Sequence, residues 1–128
     1  MITPPSCPFC ALPEGRVIER NSIGVLVMDA HPVSLGHSLA IPSRHVASFF
    51  DTTAAEREGL LALIFKAKQL VSAEFAPTGY NFGINDGIAA GQTVPHLHLH
   101  LIPRYDGDHH DPRGGVRWVL PARANYWS

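Results

Sequence analysis

The sequence contains little that would place it outside the class of ordinary globular proteins. Of its 128 residues, 16% are charged, the formal net charge is -1, and two are cysteines. Proteins that bind the nucleic-acid backbone carry a basic excess, so this charge gives no support to a nucleic-acid polymer as partner. No apolar run approaches the roughly 18 residues of a transmembrane helix, and the N-terminus lacks the features of a signal peptide. We therefore expect a soluble, cytoplasmic protein with no membrane partner.

The residues that are present predict one folded domain over residues 1–128. Apolar residues make up 45% of the chain, which excludes intrinsic disorder, and the length suits one domain of ordinary size. The first residues, 1–15, form an arm with both cysteines. A second arm, 106–128, begins with a loop rich in Asp, His, Pro and Gly.

The hydrophobic pattern predicts strands and one dominant helix. Thr52-Thr53 followed by Glu56 is a capping-box pattern that begins the helix, and Pro77 and Gly79 end it. The apolar helix face is predicted to consist of Leu60, Leu61, Ile64, Ala67, Leu70, Val71 and Phe75. Strands are predicted at 17–19, 25–29, 37–41, 80–86 and 94–102, with a short extra strand at 116–120. This content predicts an α+β fold on an antiparallel sheet.

The two cysteines form the segment CPFC, in which Cys7 and Cys10 are three residues apart. Three interpretations stand: half of a tetrahedral zinc site, a pair of inert buried thiols, or a redox pair. A disulfide of this span would stabilise little, and Pro13 to Gly15 is poor material for the helix that follows a redox motif. The spacing favours zinc, which then needs two more ligands from elsewhere.

Three histidines alternate with leucines in the segment HLHLHLI. In a strand, His96, His98 and His100 share one face, and the leucines between them share the other. The outer two are about 13 Å apart at Cα, which is too far for one metal ion to bind all three. The row instead suits a nucleophile or base whose neighbours orient it and hold an anionic substrate.

The stretch from Gly91 to Ile102 resembles the signature of the histidine triad (HIT) family. Other segments in family order are CPFC, the run from Asp29 to Pro32, the run from Ile41 to His45, and the run from Gly79 to Gly87. The resemblance is strongest to the bacterial Hint-like branch, described as hydrolases of dinucleoside polyphosphates or nucleoside phosphoramidates. It implies a HIT-like fold: about five antiparallel strands, one long helix and a shorter helical segment.

The resemblance also implies an activity. His98 matches the family nucleophile, which attacks the α-phosphorus of a purine nucleotide and forms a nucleotidyl-histidine intermediate that water hydrolyses. His100 matches the histidine that contacts the phosphate. The expected protein is therefore a nucleotide hydrolase or nucleotidyl transferase. The alternatives are a non-catalytic nucleotide-binding regulatory protein and a metal-handling protein. The third histidine argues against the uridylyltransferase branch, where the motif ends in Gln.

The resemblance assigns substrate contacts to four further residues. Asp29 matches the acidic residue that binds the ribose hydroxyls, and Asn85 matches an asparagine on a phosphate oxygen. Gln92 and Thr93 occupy positions near the scissile bridge. The substrate is expected to be a small nucleotide, with no catalytic metal required.

For the cysteines, the resemblance implies a structural zinc site with four ligands, Cys7, Cys10, His45 and His96. It also implies a homodimer whose C-terminal arms approach the partner's site, where Arg113, Arg117, Trp118 and Trp127 are hypothesised to tune leaving-group preference. His37 is expected to be structural and near the site. No catalytic role is expected for His31, His109 or His110.

Overall fold

A computed structural model describes residues 6–127 of the chain. Within this range, β1 (Val17–Arg20), β2 (Gly24–Met28), β3 (Ser38–Pro42), β4 (Gly79–Gly83) and β5 (Leu99–Arg104) form a five-stranded sheet. The order is β1-β2-β3-β5-β4, and every neighbouring pair is antiparallel. A single α-helix of the described residues, α1 (Ala54–Phe75), packs on one face. The predicted α+β class is confirmed.

The β1–β2 hairpin is closed by an asparagine turn. The Asn21 side-chain oxygen accepts hydrogen bonds from the backbone N–H groups of Ile23 and Gly24, at 2.9 and 3.0 Å. Gly24 has no substitute here, because a Cβ at this position would lie 2.1 Å from the backbone oxygen of Ile41. The turn therefore fixes how β2 lies against β3, the strand that borders the histidine segment.

The helix begins as the capping box predicts. The Thr53 hydroxyl accepts from the Glu56 N–H at 3.1 Å, and the Glu56 carboxylate accepts from the Thr53 N–H at 2.9 Å. The predicted apolar face is partly wrong, because Leu61 and Leu70 are 39% and 37% exposed, whereas Leu63 is buried. The buried stripe follows the i, i+3, i+4 rows from Leu60, and the two exposed leucines lie to its sides.

The sheet buries apolar side chains on both faces. On the helix side, the three leucines of the histidine segment, Leu97, Leu99 and Leu101, join the core beneath α1. On the opposite side, a smaller cluster, Val27, Leu39 and Ile41, is covered by Phe9 and Leu12 of the N-terminal arm. The CPFC arm is therefore part of the packed structure, and it covers the sheet face on which the histidines lie.

Two predicted strand ranges, 94–102 and 80–86, are corrected. β5 begins at Leu99 instead of Val94, although the Leu97 N–H still bonds the Val46 carbonyl at 2.7 Å. β5 continues through Pro103. Since β3 pairs with β5 only as far as Leu101, no strand lies where a hydrogen bond from residue 103 would be required, and the absence of an N–H on proline costs no bond. β4 ends at Gly83.

The predicted extra strand at 116–120 is also wrong. The segment Gly115–Val119 is a 3-10 helix whose side chains are largely exposed, and both its first residue and the preceding Gly114 have positive φ. Further 3-10 turns are Glu14–Arg16, Phe49–Asp51, Ile88–Ala90 and Pro121–Arg123. Of the described helices, none is long and apolar enough to cross a membrane. The prediction of one domain over 1–128 with arms at 1–15 and 106–128 stays a prediction, and residues 1–5 and 128 lie outside the described residues.

Candidate active site and metal centre

Two cysteines and two histidines converge where the N-terminal arm meets the histidine segment. The Nδ1 atom of His96 lies 3.4 Å from Cys7 Sγ, 3.5 Å from Cys10 Sγ and 3.1 Å from His45 Nδ1. Cys10 Sγ lies 3.2 Å from His45 Nδ1. Ligand atoms on a tetrahedral zinc ion are about 3.3 to 3.8 Å apart, given its bond lengths to nitrogen and sulfur. The four side chains therefore fit a zinc ion after small adjustments.

The buried His96 ring is oriented for metal binding. Its Nε2–H donates to the Pro42 carbonyl at 2.8 Å, which leaves the Nδ1 lone pair directed at the thiols. Metal-binding histidines characteristically donate their second ring nitrogen to such an acceptor. Burial lowers the pKa of His96, and the neighbouring His45 and His98 add to this effect, while the Pro42 bond opposes it. The ring is thus held in the neutral form that a metal requires.

His98 presents one ring nitrogen to the open side of the sheet. Its Nδ1 lies 2.8 Å from the His96 carbonyl oxygen. A carbonyl accepts, so Nδ1 carries the proton and Nε2 has the free lone pair. The ring contacts those of Phe9 and His100, whose centroids are 4.9 and 5.0 Å away. A neutral imidazole held in this tautomer is a nucleophile at neutral pH.

A chain of hydrogen bonds sets the tautomer of His100. The Val33 N–H donates to His37 Nδ1 at 3.2 Å, so the His37 proton is on Nε2. That Nε2 lies 2.9 Å from His100 Nδ1, which must accept, and 3.4 Å from an oxygen of Asp29. The proton of neutral His100 is then on Nε2, a buried atom without a partner among the described residues. His100 therefore offers an unpaired N–H donor beside His98.

The electrostatics agree with these neutral rings. Burial lowers the pKa of His100 to about 4, with smaller contributions from His98 and His37, while Asp29 opposes the shift. Burial also lowers the pKa of His37, again against the charge of Asp29. Both rings are consequently neutral at physiological pH, and His100 can donate a hydrogen bond without first losing or gaining a proton.

Asp29, His37 and His100 form a second cluster whose ligand atoms lie within 4.8 Å of one another. This cluster suits a metal poorly. For His37 to bind through Nε2, its proton would have to move to Nδ1, which faces the N–H of Val33. No acceptor then supports the ring, in contrast to His96 and its carbonyl. The cluster is built as a hydrogen-bond chain.

The remaining predicted site residues are placed differently from one another. One oxygen of Asp29 accepts from the His31 N–H at 2.8 Å, and a cavity of about 360 Å³ opens beside Asp29 and His37. Asn85 and Thr93 are exposed, and in residues 6–127 neither bonds the histidines. The Gln92 amide is already engaged by backbone groups, at 2.8 Å from the Gly87 N and 2.9 Å from the Ala47 O, so it braces the loop.

Two residues make contacts in this site that were not predicted from the sequence. His37 was expected to be structural and near the site, but its hydrogen bond to the His100 ring was not predicted. The sequence predicted it as the first residue of the strand 37–41, but the signal that joins it to His100 is the β3–β5 register, in which Leu39 lies opposite His100. Phe9 lies between the two cysteines and contacts His98. Its signal was an aromatic residue inside the CxxC spacing.

The C-terminal arm folds on itself. The Arg113 guanidinium lies 4.6 Å from the Trp127 ring centroid, and Arg117 lies at the same distance from that of Tyr126. The Trp118 indole N–H donates to the Arg113 carbonyl at 2.7 Å. The rings of His109 and His110 are exposed and stacked on each other. None of these contacts joins the arm to the histidine segment of its own chain within the described residues.

Comparison with known proteins identifies similar chains. The family model described as HIT domain matches residues 13–107. The Schizosaccharomyces pombe protein named bis(5'-nucleosyl)-tetraphosphatase (asymmetrical) is 38% identical over 101 residues, covering 78% of this chain and 56% of that protein. The chain thus spans little more than half the length of this relative.

Two solved structures are also similar. A HIT family protein from Bacillus anthracis has a TM-score of 0.76 at 34% identity, covering 83% of this chain and 78% of that one. A zinc-bound histidine triad family protein from Mycobacterium smegmatis has a TM-score of 0.74 at 34% identity, covering 83% and 80%.

Proposed function

The chain belongs to the HIT domain family, and on this premise we propose that it is a nucleotide hydrolase or nucleotidyl transferase. The proposed reaction is cleavage at the α-phosphate of a purine nucleoside phosphoramidate or a dinucleoside polyphosphate. The observation that carries the proposal is the pair formed by His98, with a free Nε2 lone pair, and His100, with an unpaired Nε2–H donor. The tetraphosphatase name of the S. pombe relative supports the substrate class.

His98 is the proposed nucleophile. Its Nε2 forms a bond to the α-phosphorus while the bond from phosphorus to the leaving group breaks. The His96 carbonyl keeps the proton on Nδ1 and stabilises the positive charge that develops on the ring. Water then attacks the same phosphorus, the phosphorus–nitrogen bond breaks, and free His98 is restored. Splitting the reaction in this way replaces one difficult displacement by two easier ones.

His100 is the proposed phosphate contact. Its Nε2–H donates to a phosphate or leaving-group oxygen, and the chain from Val33 through His37 holds the tautomer that makes it a donor. Because this atom has no protein partner in the described residues, a substrate oxygen would satisfy a buried donor that otherwise costs free energy. His37 is thereby assigned to orienting His100.

We assign the substrate contacts around this pair as follows. The Asp29 oxygen beside the cavity accepts from ribose hydroxyls, and the cavity receives the nucleoside. The exposed side chains of Asn85 and Thr93 contact phosphate oxygens. Gln92, proposed from the sequence as a substrate contact, acts indirectly by holding the loop that carries Thr93.

A structural zinc ion is proposed at Cys7, Cys10, His45 and His96, supported by the cluster geometry and by the zinc-bound M. smegmatis relative. Two thiolates and two imidazoles complete a tetrahedron, so bound zinc would hold the arm against the histidine segment and leave no position for substrate. The catalytic steps above therefore require no metal.

The exposed apolar surface bears on the assembly of the protein. A homodimer is supported by apolar side chains on the outer surface, notably Phe65 of α1 at 74% exposure and Phe82 of β4 at 45%. In such a dimer, we propose that Arg113, Arg117, Trp118 and Trp127 of the arm influence leaving-group preference in the partner's site. The cytoplasmic location stays a prediction.

The test is a rapid-mixing experiment with adenosine and guanosine phosphoramidates and diadenosine polyphosphates. Wild-type protein should give a burst of covalent nucleotidyl-enzyme by intact mass, and His98→Ala should give neither burst nor turnover. His109→Ala, which changes an exposed histidine of the arm, is the matched control. Tight nucleotide binding without burst or turnover would favour the non-catalytic alternative and refute the proposal. Turnover retained in His98→Ala would refute the nucleophile.

A further inference from the structure

Phe9 links the cysteine arm to His98. Its ring lies 4.9 Å from the His98 ring, centroid to centroid, at an interplanar angle of 69°. It also lies edge-on to His96 at 6.0 Å, and it packs on the cluster of Val27, Leu39 and Ile41. One aromatic side chain therefore spans the sheet-face core and the proposed nucleophile.

The His98 ring needs such a neighbour. Its hydrogen bond to the His96 carbonyl determines which nitrogen points outward. Rotation about the final ring torsion is broad and roughly two-fold, so one hydrogen bond is the ring's sole polar restraint from the described residues: the ring can rock about this bond, and it can flip whenever the bond breaks. The His100 ring at 5.0 Å and the Phe9 ring at 4.9 Å both contact His98 and limit this motion.

The position of Phe9 depends on its two cysteine neighbours. The Cys10 N–H donates to the Cys7 carbonyl at 3.2 Å, which makes residues 7–10 one tight turn with Phe9 inside it. The thiol groups at the two ends of this turn lie against His96 and His45. If the two thiols and the two histidines hold a metal ion, both ends of the turn that contains Phe9 are fixed. Without it, the backbone bond and the apolar packing of Phe9 remain, but the two thiol groups are held only by weak hydrogen bonds to the histidine rings.

We propose that Phe9 is a positioning residue that holds the His98 ring in its reactive orientation, and that it makes this orientation depend on the metal state of the cysteine arm. The proposal rests on the proposed function. It gives the structural metal an indirect influence on turnover, exerted through packing.

The experiment compares Phe9→Ala and Phe9→Leu with Leu12→Ala. Leu12 packs on the same apolar cluster but has no aromatic ring to pair with His98, so it controls for the loss of arm packing. We expect Phe9→Ala to lower kcat on the order of ten- to a hundred-fold, as small misplacements of reacting groups do. KM should change little, Phe9→Leu should fall between, and Leu12→Ala should keep kcat near wild type.

A second readout does not depend on turnover. The ¹⁵N chemical shifts of the His98 ring nitrogens report the tautomer, and His98→Ala identifies the signals. Wild-type protein should show a single Nδ1–H tautomer. Two samples should instead show ¹⁵N shifts averaged between the two tautomers. One is Phe9→Ala with its zinc retained, and the other is wild type from which a chelator has removed the zinc. This readout remains valid if no tested nucleotide is hydrolysed, so failure of the proposed function is distinguishable.

Two results overturn the proposal. One is an unchanged His98 tautomer in Phe9→Ala, in which case the arm has no influence on the ring. The other is a raised KM at unchanged kcat, which would make Phe9 a contact for the nucleoside. If Phe9→Ala loses its zinc, Phe9→Leu takes its place in the comparison. The proposal then fails unless Phe9→Leu shows the change in the His98 tautomer while zinc is bound.

Discussion

The ion pair between Glu56 and Arg44 joins the start of α1 to the segment that carries the zinc-ligand candidate His45. Glu56 accepts hydrogen bonds from Arg44 Nε and Nη2, each at 2.8 Å, and from the Thr53 N–H at 2.9 Å. Its side chain is 10% exposed, and that of Arg44 is 51% exposed. We predict that Glu56→Gln destabilises the fold, because the neutral amide can still accept from Thr53 but loses the charged, bidentate pair.

The magnitude follows from the ionisation of the carboxyl group. Arg44 and the capping bond lower the pKa of Glu56 from 4.5 to about 2, and such a shift is worth at most roughly 3 kcal/mol. Because the Arg44 side chain is half exposed, water screens the pair, and we expect about 1 to 2 kcal/mol at pH 7. The folded pKa lies below the unfolded one, so this stabilisation is present above about pH 4.5 and is lost as the pH falls toward 2.

The assay is urea unfolding of wild type, Glu56→Gln and Glu58→Gln at pH 7 and pH 3. Glu58 is an exposed neighbour on the same helix and serves as the matched control. The difference between wild type and Glu56→Gln should narrow at pH 3, whereas Glu58→Gln should follow wild type at both. Equal unfolding free energies for the two variants at pH 7, or a difference independent of pH, would refute the reasoning.

Three further predictions concern the site. Cys7→Ser should lose the zinc ion and lower the Tm, and a wild-type zinc content would contradict the ligand assignment. Since the folded pKa of His100, about 4, lies below its ordinary value of 6.5, wild type should lose up to roughly 3 kcal/mol of unfolding free energy as the pH falls through this window. His100→Gln should reduce this pH-dependent loss of unfolding free energy. If the variant has the same pH dependence as wild type, His100 is not its source. Asp29→Asn should raise KM about tenfold for ribonucleotides but not for 2',3'-dideoxy analogues, in line with one lost hydrogen bond to a charged group. An equal change for both would exclude a ribose contact.

Local signals predicted the elements that depend on local chemistry. The start of α1 follows from Thr53 and Glu56 alone, because both capping bonds form within one turn. The burial of Leu97, Leu99 and Leu101 follows from alternation, which persists even before β5 formally begins. The fold class required no more than these patterns and the count of strand-like runs.

Features that depend on a distant partner were missed. The segment 116–120 has the side chains of a strand, but a strand needs the edge of another strand to pair with. This segment instead follows Gly114 and Gly115, two residues at positive φ, and forms a 3-10 helix. Pro103 was expected to end the last strand. A proline ends a strand only where its neighbour requires a hydrogen bond from the missing N–H, and here β5 stays paired with β4 through Pro103. The contact of His37 with His100 depends on the register between β3 and β5, which no local pattern encodes.

The three histidines of one alternating run differ because each ring has a different partner. His96 donates through Nε2 to the carbonyl of Pro42, in the residue that ends β3, and so presents Nδ1 to the cysteines. His98 donates through Nδ1 to the carbonyl two residues earlier and presents Nε2. His100 accepts at Nδ1 from His37 and presents a donor. Alternation places all three on one face, but it assigns no proton. A candidate metal ligand, a lone-pair donor and an N–H donor arise from one repeated residue because three separate parts of the fold, the end of β3, the run's own backbone and the residue before β3, each determine one tautomer.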